Sequence, residues 1–153
     1  MSSYTATIRW TREGEAEDFA KGRFSRAHEW EFDGGATVPA SPSPHIVPEP
    51  WSDLSAVDPE EAFVASLASC HMLFFVDFAR RGGFVVDSYV DQAEGQLEKR
   101  DDGKMWMSKV TLRPQITWGE GGPNESAVAK LHSQAHDACF IANSVTTEVM
   151  VER

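Results

Sequence analysis

The 153-residue chain has 24 acidic against 14 basic side chains, a formal net charge of −10. It is long enough to bury a core, and we expect one domain over residues 1–153. Few, scattered Lys and Arg residues argue against nucleic-acid binding through phosphate neutralisation. No charge-free apolar run is long enough to span a membrane, and the N-terminus lacks a basic-then-apolar signal pattern, so we expect a cytoplasmic protein that does not bind membranes.

The first forty residues predict strands. Residues 4–10 alternate large and small or polar side chains, which is typical of a strand. Residues 13–22 are polar and predict a loop, and residues 23–32 predict a second strand. Asp33-Gly34-Gly35 is a hairpin signal, after which residues 36–39 return as a short strand.

The segment from Pro39 to Pro50 contains five prolines, counting both ends. Such a segment is unsuited to an interior strand or a helix, so we expect a surface loop. Long loops in compact domains often have a function. Both interpretations, a lid over an active site and a plain connector, stay open.

The stretch from Asp58 to Ala79 predicts one helix around which the chain is organised. Asp58 suits the N-cap, Pro59 suits the first helical position and Glu61 completes a capping-box pattern. The stretch that follows is almost entirely apolar or small, so we expect the helix to be buried nearly all round. Gly82-Gly83 ends it.

The second half of the chain predicts two long strands, 84–98 and 104–118, joined by a hairpin at 100–103. A second helix follows, capped by Asn124 or Ser126.

This second helix runs to about Ile141, where Asn143 closes it in a left-handed conformation. Residues 144–152 then predict a final strand. The order of strands, helix, strands, helix and strand indicates an α+β fold with a mostly antiparallel sheet.

The two cysteines fall on the two predicted helices, Cys70 in the first and Cys139 near the end of the second. A free Cys usually behaves as a small buried hydrophobe, so both are candidates for core filler in a non-enzymatic binding domain. Because both helices should face the core, the thiols are also able to meet. A thiol oxidised to sulfenic acid beside a second thiol forms a disulfide, which is the arrangement of redox cysteines.

Two other chemistries use the same residues. His132, His136 and Cys139 share one helix face and, together with Cys70 or His71, form a candidate zinc set. A Cys-His hydrolase using Cys70 and His136 is a weaker hypothesis, because the sequence offers no third orienting group.

Residues 59–71 (PEEAFVASLASCH), 135–139 (AHDAC) and Asn143-Ser144 together resemble the OsmC/Ohr family of thiol peroxidases. The resemblance implies an intertwined homodimer whose mostly antiparallel sheet wraps around a central buried helix. It also implies reduction of organic hydroperoxides without a bound cofactor. The reductant implied is a dithiol, of lipoyl type or thioredoxin type.

The resemblance also implies roles for individual residues. The peroxidatic cysteine falls on Cys70, the resolving cysteine on Cys139 and the family glutamate on Glu60. The family arginine falls on Arg23 in Gly22-Arg23, with Arg26 as a close rival. A guanidinium beside a thiol stabilises the thiolate, and a carboxylate orients the guanidinium.

This sequence departs from the family pattern at two positions. His71 replaces the aromatic residue after the first cysteine, and Phe140 replaces the proline after the second. The preference between organic and inorganic peroxides therefore stays open.

Glu60 lies ten residues before Cys70, roughly 15 Å along a helix. An antiparallel pair of these helices brings Glu60 of one chain towards Cys70 of the other. We therefore expect a homodimer with shared sites. The alternative is that Glu60 only stabilises the N-terminus of its own helix.

Overall fold

The computed structural model describes all 153 residues, which form two compact units, Met1–Ala62 and Phe63–Arg153. The first unit contains a three-stranded antiparallel sheet in the order β1-β2-β3 and a short helix, α1. The bounds are Ala6–Arg9 for β1, Ala16–Ala20 for α1, His28–Phe32 for β2 and Thr37–Ala40 for β3. The three predicted strands are therefore present, although each is shorter than its sequence pattern.

The loop predicted for residues 13–22 is wrong where Ala16–Ala20 form α1. Five residues are too few to show a helical period in the sequence. The helix ends in a Schellman motif, in which Gly22 N–H donates to Phe19 O and Arg23 N–H donates to Asp18 O, both at 2.9 Å. Gly22 takes the left-handed backbone conformation that this motif requires, with φ of 76°.

The proline-rich loop contains no helix or strand after Ala40. Backbone hydrogen bonds from Ser41 N–H to Val57 O and from Val57 N–H to Pro39 O fasten it, both at 3.0 Å. Inside the loop, Asp53 N–H donates to the buried Oγ of Ser41 at 2.8 Å. These bonds hold the two ends of the loop together.

The central helix, α2, covers Pro59–Arg81. Its capping box is confirmed: Glu61 N–H donates to the Asp58 carboxylate at 2.7 Å, and Asp58 N–H donates to the Glu61 carboxylate at 3.1 Å. Gly83, with φ of 83°, ends the helix in the left-handed conformation.

Burial of α2 is confined to one face, so the prediction that it is buried nearly all round is wrong for the single chain. Leu67, His71, Phe75 and Ala79, at intervals of four, are buried. Leu73 is 63% exposed and Val76 36% exposed. By length and composition alone α2 is able to cross a membrane, since an 18-residue stretch of it has a mean hydropathy of 1.7. Its buried face nevertheless packs into an apolar core.

The second unit contains two sheets instead of one long hairpin. The bounds are Val86–Asp91 for β4, Glu94–Lys99 for β5, Met105–Leu112 for β6, Pro114–Trp118 for β7 and Glu148–Val151 for β8. Strand β4 pairs with β7 and β5 with β6, both antiparallel, whereas β8 lies parallel to β6. The predicted long strands break beside Arg113, whose N–H donates to the Asp91 carboxylate at 2.7 Å.

The second predicted helix is α3, Glu125–Ala138. Of the two candidate caps the structure uses Asn124, whose side chain accepts from Ala127 N–H at 2.9 Å. The helix ends earlier than predicted, with Cys139 as its C-cap, and Ala142–Ser144 form a 3₁₀ turn. No residue other than glycine has a positive φ, so the left-handed closure predicted for Asn143 is wrong.

Two apolar clusters fill the second unit and hold α2 in place. One contains Leu67, Val110 and Leu112. The other joins Phe75 and Ala79 of α2 to Leu131 and Ala135 of α3. The chain thus has the expected mixed α+β fold, with antiparallel sheets apart from the β6–β8 pair.

Candidate active site

The two cysteine thiols lie next to each other in the second unit, and both are free. Cys70 is half-buried on α2, where it lines an open cleft of about 500 Å³. Cys139 is buried, 1% exposed, at the end of α3. The structure therefore brings together the two thiols that the sequence pointed to, one accessible and one enclosed.

Burial raises the pKa of the Cys139 thiol above its usual range, and the adjoining Cys70 thiol raises it further. The backbone N–H of Ala142, which donates to Cys139 Sγ at 3.4 Å, acts in the opposite direction. A thiol that resists ionisation is a poor first nucleophile. The accessible Cys70 is therefore the thiol suited to meet a substrate first.

The wall of the Cys70 cleft is mainly apolar. The other residues that line it are Ser66, Ser69, Leu73, Phe74, Asp77, Phe140 and Ile141. Phe74 and Phe140 meet edge to face at 5.1 Å between ring centroids, and Phe140 is 70% exposed. The carboxylate of Asp77 is already paired with Arg80 and Arg81. The cleft thus offers an apolar substrate a surface beside the thiol.

A buried histidine pair joins the two cysteine-bearing helices, which the sequence reasoning missed. His71 Nε2 and His132 Nδ1 are 3.0 Å apart, and the ring planes lie within 12° of parallel with centroids 5.3 Å apart, as an in-plane hydrogen bond requires. Burial lowers the pKa of each imidazole to about 4. Basic neighbours contribute to the same lowering of the pKa, His132 and His136 at His71 and Arg153 at His132. Both rings are therefore neutral at neutral pH.

The zinc hypothesis does not fit this geometry. No group of three or more His, Cys, Asp or Glu side chains in the chain is placed to hold a metal ion. His132 bonds to His71 instead, and His136 is exposed. No hydrogen bond joins His136 to Cys70, so the hydrolase hypothesis has no support either.

The arginine candidates and Glu60 lie in the first unit. Arg23 is exposed, whereas Arg26 is half-buried, with its guanidinium carbon 3.9 Å from the centroid of the Phe24 ring. The Arg26 guanidinium donates only to backbone carbonyls, those of Gly22 and Phe24. Neither arginine forms an ion pair with Glu60 or with any other carboxylate.

Arg26 also borders an aromatic cavity of about 410 Å³ in the first unit. Trp10, Phe19 and Phe24 form its aromatic wall, with Phe19 and Phe24 centroids 4.6 Å apart. Sequence reasoning missed this cavity, although three aromatic residues around the arginine candidates were a visible signal.

A family model described as OsmC-like protein matches residues 52–152. The chain belongs to the OsmC-like family. The match spans the capping box of α2, both cysteines and the histidine pair. None of the curated proteins matches this OsmC-like chain.

Solved structures extend the likeness to the whole chain. An OsmC-like protein of unknown function from Vibrio cholerae is 50% identical, with a TM-score of 0.95 and coverage of 99% of both chains. An organic hydroperoxide resistance protein OsmC from Legionella pneumophila is 19% identical, with a TM-score of 0.69 and coverage of 99% of this chain and 96% of that one.

The organic hydroperoxide resistance protein OhrB of Bacillus subtilis is also 19% identical, with a TM-score of 0.66 and coverage of 97% of both chains. At such identities the likeness to the two hydroperoxide resistance proteins is one of fold.

Proposed function

We propose that this OsmC-like protein is a cysteine-based peroxidase that reduces organic hydroperoxides. The observation that carries the proposal is the pair of adjoining thiols, with half-buried Cys70 in an apolar cleft and Cys139 enclosed behind it. Two relatives in fold are named for organic hydroperoxide resistance, which supports the same substrate class.

In the first step the Cys70 thiolate attacks the distal oxygen of the hydroperoxide. The O–O bond breaks, Cys70 becomes a sulfenic acid, and the alkoxide leaves as an alcohol after taking up a proton. The apolar cleft walls, including Leu73 and Phe74, suit the organic group of the substrate. The same chemistry applies to hydrogen peroxide, which gains nothing from these walls.

In the second step the Cys139 sulfur attacks the Cys70 sulfenic acid. A disulfide forms and the hydroxyl group leaves as water. An external dithiol then reduces the disulfide by exchange, becoming a disulfide itself. Enclosure of Cys139 suits this order, because burial and a raised pKa disfavour its direct attack on peroxide, whereas its position beside Cys70 favours attack on the sulfenic acid.

We propose further that the active form is a homodimer in which a guanidinium of Arg23 or Arg26 and the carboxylate of Glu60 complete the site. The outward face of α2, with Leu73 and Val76 exposed, is an apolar surface that a second copy is able to cover. The absence of any ion pair at Arg23, Arg26 or Glu60 within one chain supports completion between chains.

A thiol titration tests the proposed function. One equivalent of cumene hydroperoxide per chain should remove both free thiols of the reduced protein within the mixing time of a manual assay. The Cys70→Ser variant should keep its remaining thiol. Loss of thiols at the same rate in both proteins, or loss in neither protein, would exclude Cys70 as the peroxide-reactive group. Both cysteines would then be explained as buried residues of the core.

The substrate class is tested by comparing hydroperoxides. Cumene hydroperoxide should oxidise Cys70 faster than hydrogen peroxide does. Leu73 lines the cleft from the exposed face of α2. Replacing it with Ser should reduce the difference between the rates at which the two hydroperoxides oxidise Cys70. A preference for hydrogen peroxide would overturn the organic assignment and leave the thiol mechanism intact.

A further inference from the structure

The buried His71–His132 pair has no part in the two thiol steps, yet it lies between the two helices that carry the thiols. It provides the one hydrogen bond between a side chain of α2 and a side chain of α3. Both imidazoles are nearly inaccessible, at 1% and 5% exposed. Burying polar groups so completely costs free energy. Such groups are useful where they fix a geometry that apolar packing alone does not specify.

The pair and the thiols connect the same two helices at two separate points. His71 follows Cys70 directly on α2, whereas His132 precedes Cys139 by seven residues on α3, roughly 10 Å along the helix axis. A slide or rotation of α3 relative to α2 therefore changes both contacts together. The apolar neighbours, Phe75 and Leu131 among them, resist such movement less specifically than a directed hydrogen bond.

We infer that the His71–His132 hydrogen bond is a positioning device, which holds α3 in the register on α2 that places Cys139 next to Cys70. This inference rests on the proposed function for its biological role, but the geometry of the thiol pair does not depend on peroxide. Holding two thiols in place raises their effective concentration towards each other and so favours their disulfide.

The chemistry of the bond explains why two neutral histidines serve here. In a neutral pair one ring nitrogen donates and the other accepts, so the bond forms without burying a charge. His71 Nδ1 is buried and has no partner, so the His132 bond is the only hydrogen bond that the His71 ring makes. Without His132, both nitrogens of a fully buried ring would be unsatisfied.

Two variants of His132 separate the hydrogen bond from the ring. His132→Phe keeps an aromatic ring against Phe75, which contacts the histidine ring at 4.3 Å, but removes the bond. His132→Asn removes the ring but keeps a polar atom close to the position of Nδ1. Gln134→Ala, on the exposed side of α3, is the matched control.

The measurement is the equilibrium of the Cys70–Cys139 disulfide with glutathione, in which the reduced protein and one oxidised glutathione give the protein disulfide and two reduced glutathiones. We expect His132→Phe to lower this equilibrium constant about tenfold, which makes the potential about 30 mV less negative. His132→Asn should lie closer to wild type, and Gln134→Ala should match it. A role limited to fold stability affects the reduced and oxidised forms alike and leaves the potential unmoved.

A wild-type potential in His132→Phe would overturn the inference. Equal shifts in His132→Phe and His132→Asn would also overturn it, because the variant that keeps a polar atom near Nδ1 would then be no better than the variant that lacks one. Should His132→Phe fail to fold, His71→Leu and His71→Gln carry the same comparison from the other side of the bond. The titration uses no hydroperoxide, so it stands even where the peroxidase proposal fails.

Discussion

The two units of the chain differ in how their candidate site residues are paired within one chain. The second unit contains two adjoining free thiols that differ in accessibility, half-buried Cys70 and buried Cys139. The first unit contains Arg23, Arg26 and Glu60 without a single ion pair among them. The difference teaches where the proposal has structural support within one chain, at the adjoining thiols, and where it depends on a partner chain, at Arg23, Arg26 and Glu60.

The largest effect on hydroperoxide turnover should come from replacing the two cysteines. Cys70→Ser should reduce multiple-turnover consumption of cumene hydroperoxide, measured with excess dithiol, by about a thousandfold or more, because no other group supplies the nucleophile. Cys139→Ser should complete one turnover and then accumulate sulfinic acid. Sustained turnover by Cys70→Ser would contradict the division of roles between the two units.

The next effect tests whether the unpaired groups act across chains. Cys70→Ser and Glu60→Ala should each be inactive alone. After subunit exchange in an equal mixture, about a quarter of all sites should carry neither lesion, because half of the dimers are mixed and each has one intact site. Peroxidase activity should rise accordingly. An active monomer in sedimentation would contradict the shared site outright.

A smaller effect identifies the guanidinium. Replacing the arginine that acts on Cys70 with Met should slow alkylation of Cys70 by iodoacetamide at neutral pH about tenfold, since a nearby positive charge stabilises the thiolate. Arg23→Met and Arg26→Met are compared with Arg12→Met, whose native guanidinium donates to the Gly14 carbonyl. Equal alkylation rates in all three variants would remove arginine from the mechanism.

The smallest effect concerns the pH dependence of stability. The pKa values of His71 and His132 fall from 6.5 to about 4 on folding, so the unfolded chain binds more protons between these values. The free energy of unfolding should therefore be largest above pH 6.5 and should decline as the pH falls towards 4. In urea denaturation His71→Gln should show a weaker decline than wild type.

His45→Gln, at an exposed loop position, is the control for this last comparison and should keep the full decline. An identical pH dependence in wild type and His71→Gln would contradict the assignment of neutral rings to the buried pair.

Local signals in the sequence were sufficient where short-range chemistry decides the structure. The Asp58–Glu61 capping box and the Asn124 cap depend on residues three apart, and the structure forms both. The sequence pattern also placed Cys70 within α2, whereas Cys139 lies one residue past the last helical residue of α3.

Other features depend on contacts between distant parts of the chain. The break between β6 and β7 follows from the bond of Arg113 to Asp91, twenty-two residues away. The His71–His132 pair joins residues 61 positions apart, and no sequence pattern around either histidine predicts the contact. The exposed face of α2 was missed for the same reason, because apolar sequence alone does not say which side a single chain covers.

The most direct test of the central claim is the intact mass of the protein after one equivalent of cumene hydroperoxide, with and without Cys139. The account predicts that wild type loses the mass of two hydrogen atoms, as a Cys70–Cys139 disulfide requires. Cys139→Ser should gain the mass of one oxygen atom, as a sulfenic acid. An unchanged mass in both proteins, or an oxygen gained by wild type without a disulfide, would contradict it.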